Sequence, residues 1–268
     1  MKELQFIYSM QILFDSPITK HRFTLKCMPL SDARQQIDNL DMDVYPREFL
    51  SMDKDSFGNS CIYGYAEGEH DHFSIIVTGT ARTGLAGGVP VSDVYKIGIF
   101  KYQTPYTQAG PKLKQFHDRI PITENAGNLE RAMAYMDALY GEFQYEPGIT
   151  TIETTAEEAF ALGKGVCQDY AHILLSLCRI DHIPCRYVVG LLVGEGVSHA
   201  WIEVFAGGLW IALDPTNHCL VKDEHIKISN GRDFKDCTIN QGMFTGNAVQ
   251  EQKVRVKVTD KREGFQLL

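Results

Sequence analysis

Along the start of the chain, large apolar side chains fall at every second position. Leu4, Phe6, Tyr8, Met10, Ile12 and Phe14 alternate with residues such as Gln5, Ser9 and Gln11. Successive side chains of an extended backbone point to opposite faces, so a period of two predicts a half-buried strand over residues 4–14 rather than a secretion-signal core. Arg22–Cys27, Cys61–Ala66, Phe73–Gly79 and Val94–Phe100 read as further strands. Asp15-Ser16-Pro17 and Phe57-Gly58-Asn59 carry turn chemistry between strands. Short strands with frequent turns and no helical period predict a β-rich, sandwich-like unit over residues 1–102.

The pattern changes after that point. Pro105, Gly110, Pro111 and Pro121 break any period, so residues 103–125 read as an irregular linker. Leu129, Ala132, Met133, Met136, Tyr140 and Phe143 then recur at helical spacing. Thr155 with Glu158 fits a capping box, for a short helix ending near Gly163. A helix apolar nearly all round, and therefore buried, starts at Cys167 and is stopped by Pro184 near Asp181 or His182. Cys185–Val193, His199–Phe205 and Leu209–Leu213 follow as strands of a meander, with Gly194–Ser198 and Gly207-Gly208 as its turns. The expected fold class is α+β. A second unit over 103–268 carries its buried helix against an antiparallel sheet.

The chain has 268 residues, enough for a sizeable core without disulfide or metal support. Its 26 basic and 34 acidic residues leave a net charge of −8, which argues against nucleic-acid or anionic-membrane partners. No apolar run is long enough to span a bilayer, and no export signal is visible, so a cytoplasmic location is expected. Seven cysteines are scattered with no close pair, which excludes a zinc ribbon or a Cys-x-x-Cys redox motif. His70 and His72, among Glu67, Glu69 and Asp71, read as a solvated turn rather than a metal site. No metal or cofactor is expected.

Cys167 differs from the other cysteines in position. It opens a buried helix directly after a glycine loop, Gly163 to Gly165. Free N–H groups and the positive dipole end at a helix start favour a thiolate. His199 opens one predicted strand and Asp214 ends the next, with Gly207-Gly208 midway between them. If those strands pair antiparallel, imidazole and carboxylate face each other across the pair, the arrangement that orients a catalytic base. His172 falls off the Cys167 face of its helix, which suits a structural hydrogen bond. Asp169 and Tyr170 either line the cleft or serve structure.

The segments Gly165-Val166-Cys167-Gln168-Asp169-Tyr170-Ala171-His172, Ile183-Pro184-Cys185-Arg186-Tyr187-Val188, His199-Ala200-Trp201-Ile202-Glu203-Val204 and Asp214-Pro215-Thr216-Asn217 occur in this order. Together they resemble the bacterial transglutaminase-like superfamily. Cys185 stands where that family usually has alanine. The first hundred residues resemble the β-rich region often joined to this core, most clearly at Asp55-Ser56-Phe57-Gly58-Asn59. The resemblance implies a papain-like core, a triad of Cys167 as nucleophile, His199 as base and Asp214 as orienter, and Trp201 packed in the core near the site. The expected activity is hydrolysis of a peptide or amide substrate through a thioester. Transfer of the acyl group to an amine, or a non-catalytic binding module on the same fold, are the alternatives.

Overall fold

The computed structural model describes residues 1–91 and 94–261; residues 262–268 of the second expected unit therefore lie outside the described residues. The N-terminal region is built from β1 (Lys2–Leu25), β2 (Gln35–Tyr45), β3 (Phe49–Lys54), β4 (Ser60–Ala66) and β5 (His70–Thr83). The alternation at residues 4–14 is one half of β1, and its apolar face is buried throughout.

The turn expected at Asp15–Pro17 is a correction, because β1 runs through it. Leu4 to Phe14 pair with the last strand of the chain, and Leu4 to Leu13 with β5. Residues from Thr19 or His21 to Leu25 pair with a later strand and with β4. The register opposite β5 slips between Leu13 and Ile18. Proline cannot donate to a ladder, and Asp15 instead binds the backbone of Val249 with both its N–H and its carboxylate. The turn-forming residues thus make an irregularity that redirects a strand rather than ending it.

Three more expectations change here. The strand expected at Val94–Phe100 is a 3-10 helix, Val94–Lys101. Ile97 and Phe100, three apart, lie together against Trp210, which is the repeat of that helix. The solvated turn expected at His70 and His72 is the start of β5: His70 is buried against His21, at 3.2 Å, and the His72 ring stacks on Tyr45. The stretch expected to be irregular holds α1 (Pro111–Arg119), which buries Leu113 and Phe116. Pro111 stands in its first turn, where a missing N–H costs nothing, so this proline starts a helix instead of breaking one.

Then come α2 (Asn128–Glu142), α3 (Ala156–Leu162) and α4 (Cys167–Ile180). The Thr155–Glu158 capping box forms, and Gly163 ends α3 at φ +72°. β6 (Cys185–Leu192), β7 (Gly194–Gly196), β8 (His199–Ala206), β9 (Leu209–Asp214), β10 (His225–Gly231), β11 (Asn240–Thr245) and β12 (Gln250–Asp260) complete the chain. In the second sheet β9, β8, β6 and β10 lie side by side, all antiparallel. Gly207 and Gly208 at φ +57° and +83° form the two-residue turn between β8 and β9. Gly194–Gly196, expected as a turn, is instead a short strand paired with β12.

Helix α4 is buried along nearly its whole length. Ile173, Leu174 and Leu177 share a core with α1, α2 and α3 on one side and with Val189, Ile202 and Val204 of the sheet on the other. Leu191, Ile226 and Ile228 belong instead to the core of the N-terminal sheet. β11 and β12 return to that same sheet beside β1. The fold is thus mixed α and β, mostly sheet with a few helices and a sheet-rich N-terminal region. No described helix is long and apolar enough to cross a membrane.

Candidate active site

The site forms where the start of α4 meets the start of β8 and the end of β9. Cys167 is partly exposed, whereas Cys27, Cys61, Cys178, Cys185 and Cys237 are buried. The turn that presents Cys167 is braced from below. Asp169, three residues past the helix boundary, accepts the Val166 N–H at 2.7 Å and the Thr150 hydroxyl at 2.7 Å. Asp169 is thus structural, and so is Tyr170, whose hydroxyl donates to the Phe143 carbonyl at 2.7 Å. Burial raises the pKa of the Asp169 carboxyl, against the pull of those two donors. His172 is fully buried and accepts the Phe234 N–H at 3.1 Å, the structural hydrogen bond expected of it. Gln168 donates to the Ile152 carbonyl at 3.1 Å.

The tight turn between β8 and β9 brings His199 and Asp214 together. His199 Nε2 donates to Asp214 Oδ2 at 2.8 Å. The same imidazole also interacts with Cys167. With Nε2 committed to the carboxylate, Nδ1 is the ring nitrogen left for the thiol. Burial alone would lower the pKa of His199, but hydrogen bonds and charge from Asp214 and Cys167 outweigh it and hold it up at about 10.

Asp214 is fully buried and densely satisfied. Its Oδ1 accepts the backbone N–H of Thr216 at 3.0 Å and of Asn217 at 3.1 Å. Its Oδ2 accepts from His199, from Asn217 Nδ2 at 2.7 Å and from His225 Nε2 at 2.9 Å. Burial opposes ionisation, yet these donors win and hold the carboxyl well below the usual carboxylate range. The loop after Asp214 is itself tied down, since His218 donates to Asp137 at 2.7 Å and stacks on Tyr140.

Two residues at the site had no local signal. His225 lies on β10, which reaches β9 only through the sheet order β9-β8-β6-β10. Tyr145 comes beside Gly165 through a parallel pairing of Gln144–Tyr145 with Lys164–Gly165. Burial and the neighbouring Cys167 raise the pKa of its hydroxyl. Trp201 is buried 6.1 Å from the His199 ring, where it was expected. His199, Asp214 and His225 form a group whose ligand atoms lie within 4.8 Å of one another. Both imidazoles already donate to one carboxylate oxygen there, so an ion would have to displace two hydrogen bonds.

Residues 114–215 match the transglutaminase-like superfamily, and residues 4–82 match the bacterial transglutaminase-like N-terminal region. An uncharacterised Mycobacterium leprae protein, ML0607, is 37% identical over 166 residues, which is 58% of this chain and 58% of that protein. Rv2569c of Mycobacterium tuberculosis, also uncharacterised, is 32% identical over 126 residues, 41% of this chain and 40% of its own length. The matched stretches thus span about half the length of these relatives. Among solved structures, a Cytophaga hutchinsonii protein provisionally assigned as a cysteine protease superposes with a TM-score of 0.75 at 24% identity. The superposition covers 97% of this chain and 91% of that one, and it shows a shared fold. Residues 114–215 thus carry the core of the transglutaminase-like superfamily, and residues 4–82 carry the bacterial transglutaminase-like N-terminal region ahead of it.

Proposed function

We propose that the protein is a thiol hydrolase of peptide or amide bonds, with Cys167 as nucleophile, His199 as base and acid, and Asp214 as the group that orients His199. The observation that carries this reading is the 2.8 Å bond from His199 Nε2 to a fully buried Asp214, which leaves Nδ1 for the partly exposed thiol at the start of α4. The transglutaminase-like core supports an enzyme; the choice of reaction rests on the chemistry of these three groups.

In the proposed cycle His199 Nδ1 takes the Cys167 proton, and the thiolate attacks the substrate carbonyl carbon. The oxyanion is held by backbone N–H groups at the first turn of α4, including that of Cys167, which lie outside the helix ladder. The C–N bond breaks as His199 returns its proton to the leaving amine, and a thioester remains. Water attacks the thioester while His199 takes its proton. The acid leaves, the C–S bond breaks and the thiolate is restored. Free thiols, none of them paired in a disulfide, fit a reducing compartment.

The test combines thiol chemistry with product analysis. Cys167 is expected to react with iodoacetamide at neutral pH, and Cys167→Ala to abolish turnover of a responsive peptide or amide while the fold persists. Retained turnover in Cys167→Ala would overturn the assignment. An inert Cys167 would favour a binding module. Incorporation of a labelled amine in place of cleavage would replace hydrolysis with acyl transfer.

A further inference from the structure

His225 is the residue at the site that the proposed cycle leaves without a task. It is more than nine-tenths buried, and its Nε2 reaches the same Asp214 oxygen as His199 Nε2 does. Its other ring nitrogen, Nδ1, has no partner within the protein. Beside it lies a cavity of about 20 Å³. A volume of that order holds one water molecule and nothing larger.

The walls of this cavity carry a specific pattern of orphaned polar atoms. Trp201 Nε1 and Arg34 Nε, both on buried side chains that line it, also lack partners within the protein. Arg34 comes from the N-terminal region, held by bonds from its Nη2 to the carbonyls of Val221 at 2.6 Å and Lys222 at 3.0 Å. Indole and guanidinium nitrogens only donate. One water can accept from both and give one of its own protons to a third group. The remaining group is His225 Nδ1, which must then be an acceptor, so the ring proton sits on Nε2, facing Asp214. A single tautomer and a single water satisfy every orphaned atom named here.

The charged groups around His225 do not offer Nδ1 another partner. On the ring's Nε2 side are Asp214 and, beyond it, His199. Around the cavity are Arg34, Asp32, Lys222, and Glu203 with Lys227. Glu203 is already bound by Lys227 and Arg186, Asp32 Oδ1 accepts the N–H groups of Arg34 and Gln35, and neither carboxylate is hydrogen-bonded to His225 Nδ1.

We propose that His225 is a positioning residue, locked as its Nε2–H tautomer by one water held between Arg34 and Trp201, and that it pins the same Asp214 oxygen that His199 binds. It rests on the hydrolase reading for its purpose, though not for its geometry. Because Nδ1 accepts from the water, the proton leaving Cys167 has one destination, His199. Through Arg34, the N-terminal region completes the line of hydrogen bonds that ends at the nucleophile.

The test reads the tautomer and the thiolate separately. In the wild-type protein, nitrogen-15 NMR of the histidine rings should show His225 neutral with its proton on Nε2. A proton on Nδ1, with or without one on Nε2, overturns the proposal, and no variant has to fold for this reading. Alkylation of Cys167 across pH then tests positioning without any substrate. His225→Phe should slow it by about 10- to 100-fold, the loss seen when an outer hydrogen-bond partner of a metal ligand is removed, carried here to the carboxylate that orients His199. His225→Gln, whose amide can donate to Asp214, should recover most of that rate. Equal rates in His225→Phe and wild type, or equal losses in both variants, overturn the positioning role. An inert wild-type Cys167 alongside the expected NMR result would instead count against the hydrolase reading alone.

Discussion

Asp214 is the residue on which the site turns, because five donors converge on one buried carboxylate. Such a group stays ionised and cannot rotate, which is what an imidazole needs from its orienting partner. Asp214→Asn keeps the shape but inverts the donor pattern, and on the proposed hydrolase reading turnover should fall by about 10⁴-fold, as it does for a triad carboxylate. Steady-state kinetics on a folded variant checks this. His199 sets the pH dependence. Its pKa is raised from 6.5 to about 10, so it keeps its proton up to that range and loses it above. The proposed hydrolysis needs that proton for the leaving amine and should decline above about pH 10, whereas alkylation needs only the thiolate and should not. The same sign holds for stability: the His199–Asp214 interaction contributes fully below about pH 6.5 and is lost as pH rises through about 10. A rate profile beside a denaturation series across pH reads both. The meeting of His199 and Asp214 is legible in the sequence because only Gly207-Gly208 separates two short alternating strands. His225 is not legible, because β10 reaches β9 only through two intervening strands.

At the scale of elements, the second sheet carries a charged cluster through its middle strands. Glu203 on β8 is buried and holds Arg186 on β6 at 2.6 Å and Lys227 on β10 at 2.8 Å. Burial pushes its carboxyl up, but the two cations prevail and hold it at about 2, below the ordinary 4.5. A depressed carboxylate stabilises the fold above its unfolded pKa. That contribution is therefore present above about pH 4.5 and lost as pH falls through about 2. Glu203→Gln leaves two cations half buried without a counter-charge and should cost about 3–5 kcal/mol at neutral pH. The variant should also lose less stability than the parent between those two pH values, as denaturant titrations would show. Helices α2 and α4 follow their apolar spacing and α3 its capping box, whereas α1 hides behind prolines that read as breakers. The 3-10 helix at Val94–Lys101 reads as a strand because its composition is apolar and β-branched at several positions, and only packing against Trp210 selects the tighter winding.

At the scale of the whole molecule, the N-terminal region and the core are joined by specific hydrogen bonds as well as by a shared hydrophobic cluster. Asn59, in the turn after β3, donates to the Asn230 carbonyl at 2.8 Å and accepts from both the Asn230 N–H and its side chain at 2.8 Å. Asp55 shapes that turn through the N–H groups of Phe57 and Asn59 and grips Lys26 at 2.8 Å. Asn59→Ala strands a buried N–H and carbonyl on β10 and should cost about 2–3 kcal/mol. If the two regions unfold as one, the melting transition should move down and stay single. A new early transition would mean that the turn only tethers a separable region.

Local pattern was enough for the elements whose period agrees with their final burial, namely the alternation of β1, the helices α2 and α4, and the β8–β9 hairpin with its two candidate site residues. It was also enough to single out Cys167, since a helix start after a glycine loop is written in adjacent residues. Tertiary structure alone decided the rest. Ladder hydrogen bonds join strands of any sequence separation, so no local pattern says that β11 and β12 return to β1, that β7 leaves the meander to pair with β12, or that β10 carries His225 to Asp214. The water-sized gap between Arg34, Trp201 and His225 exists only because three distant segments close around it.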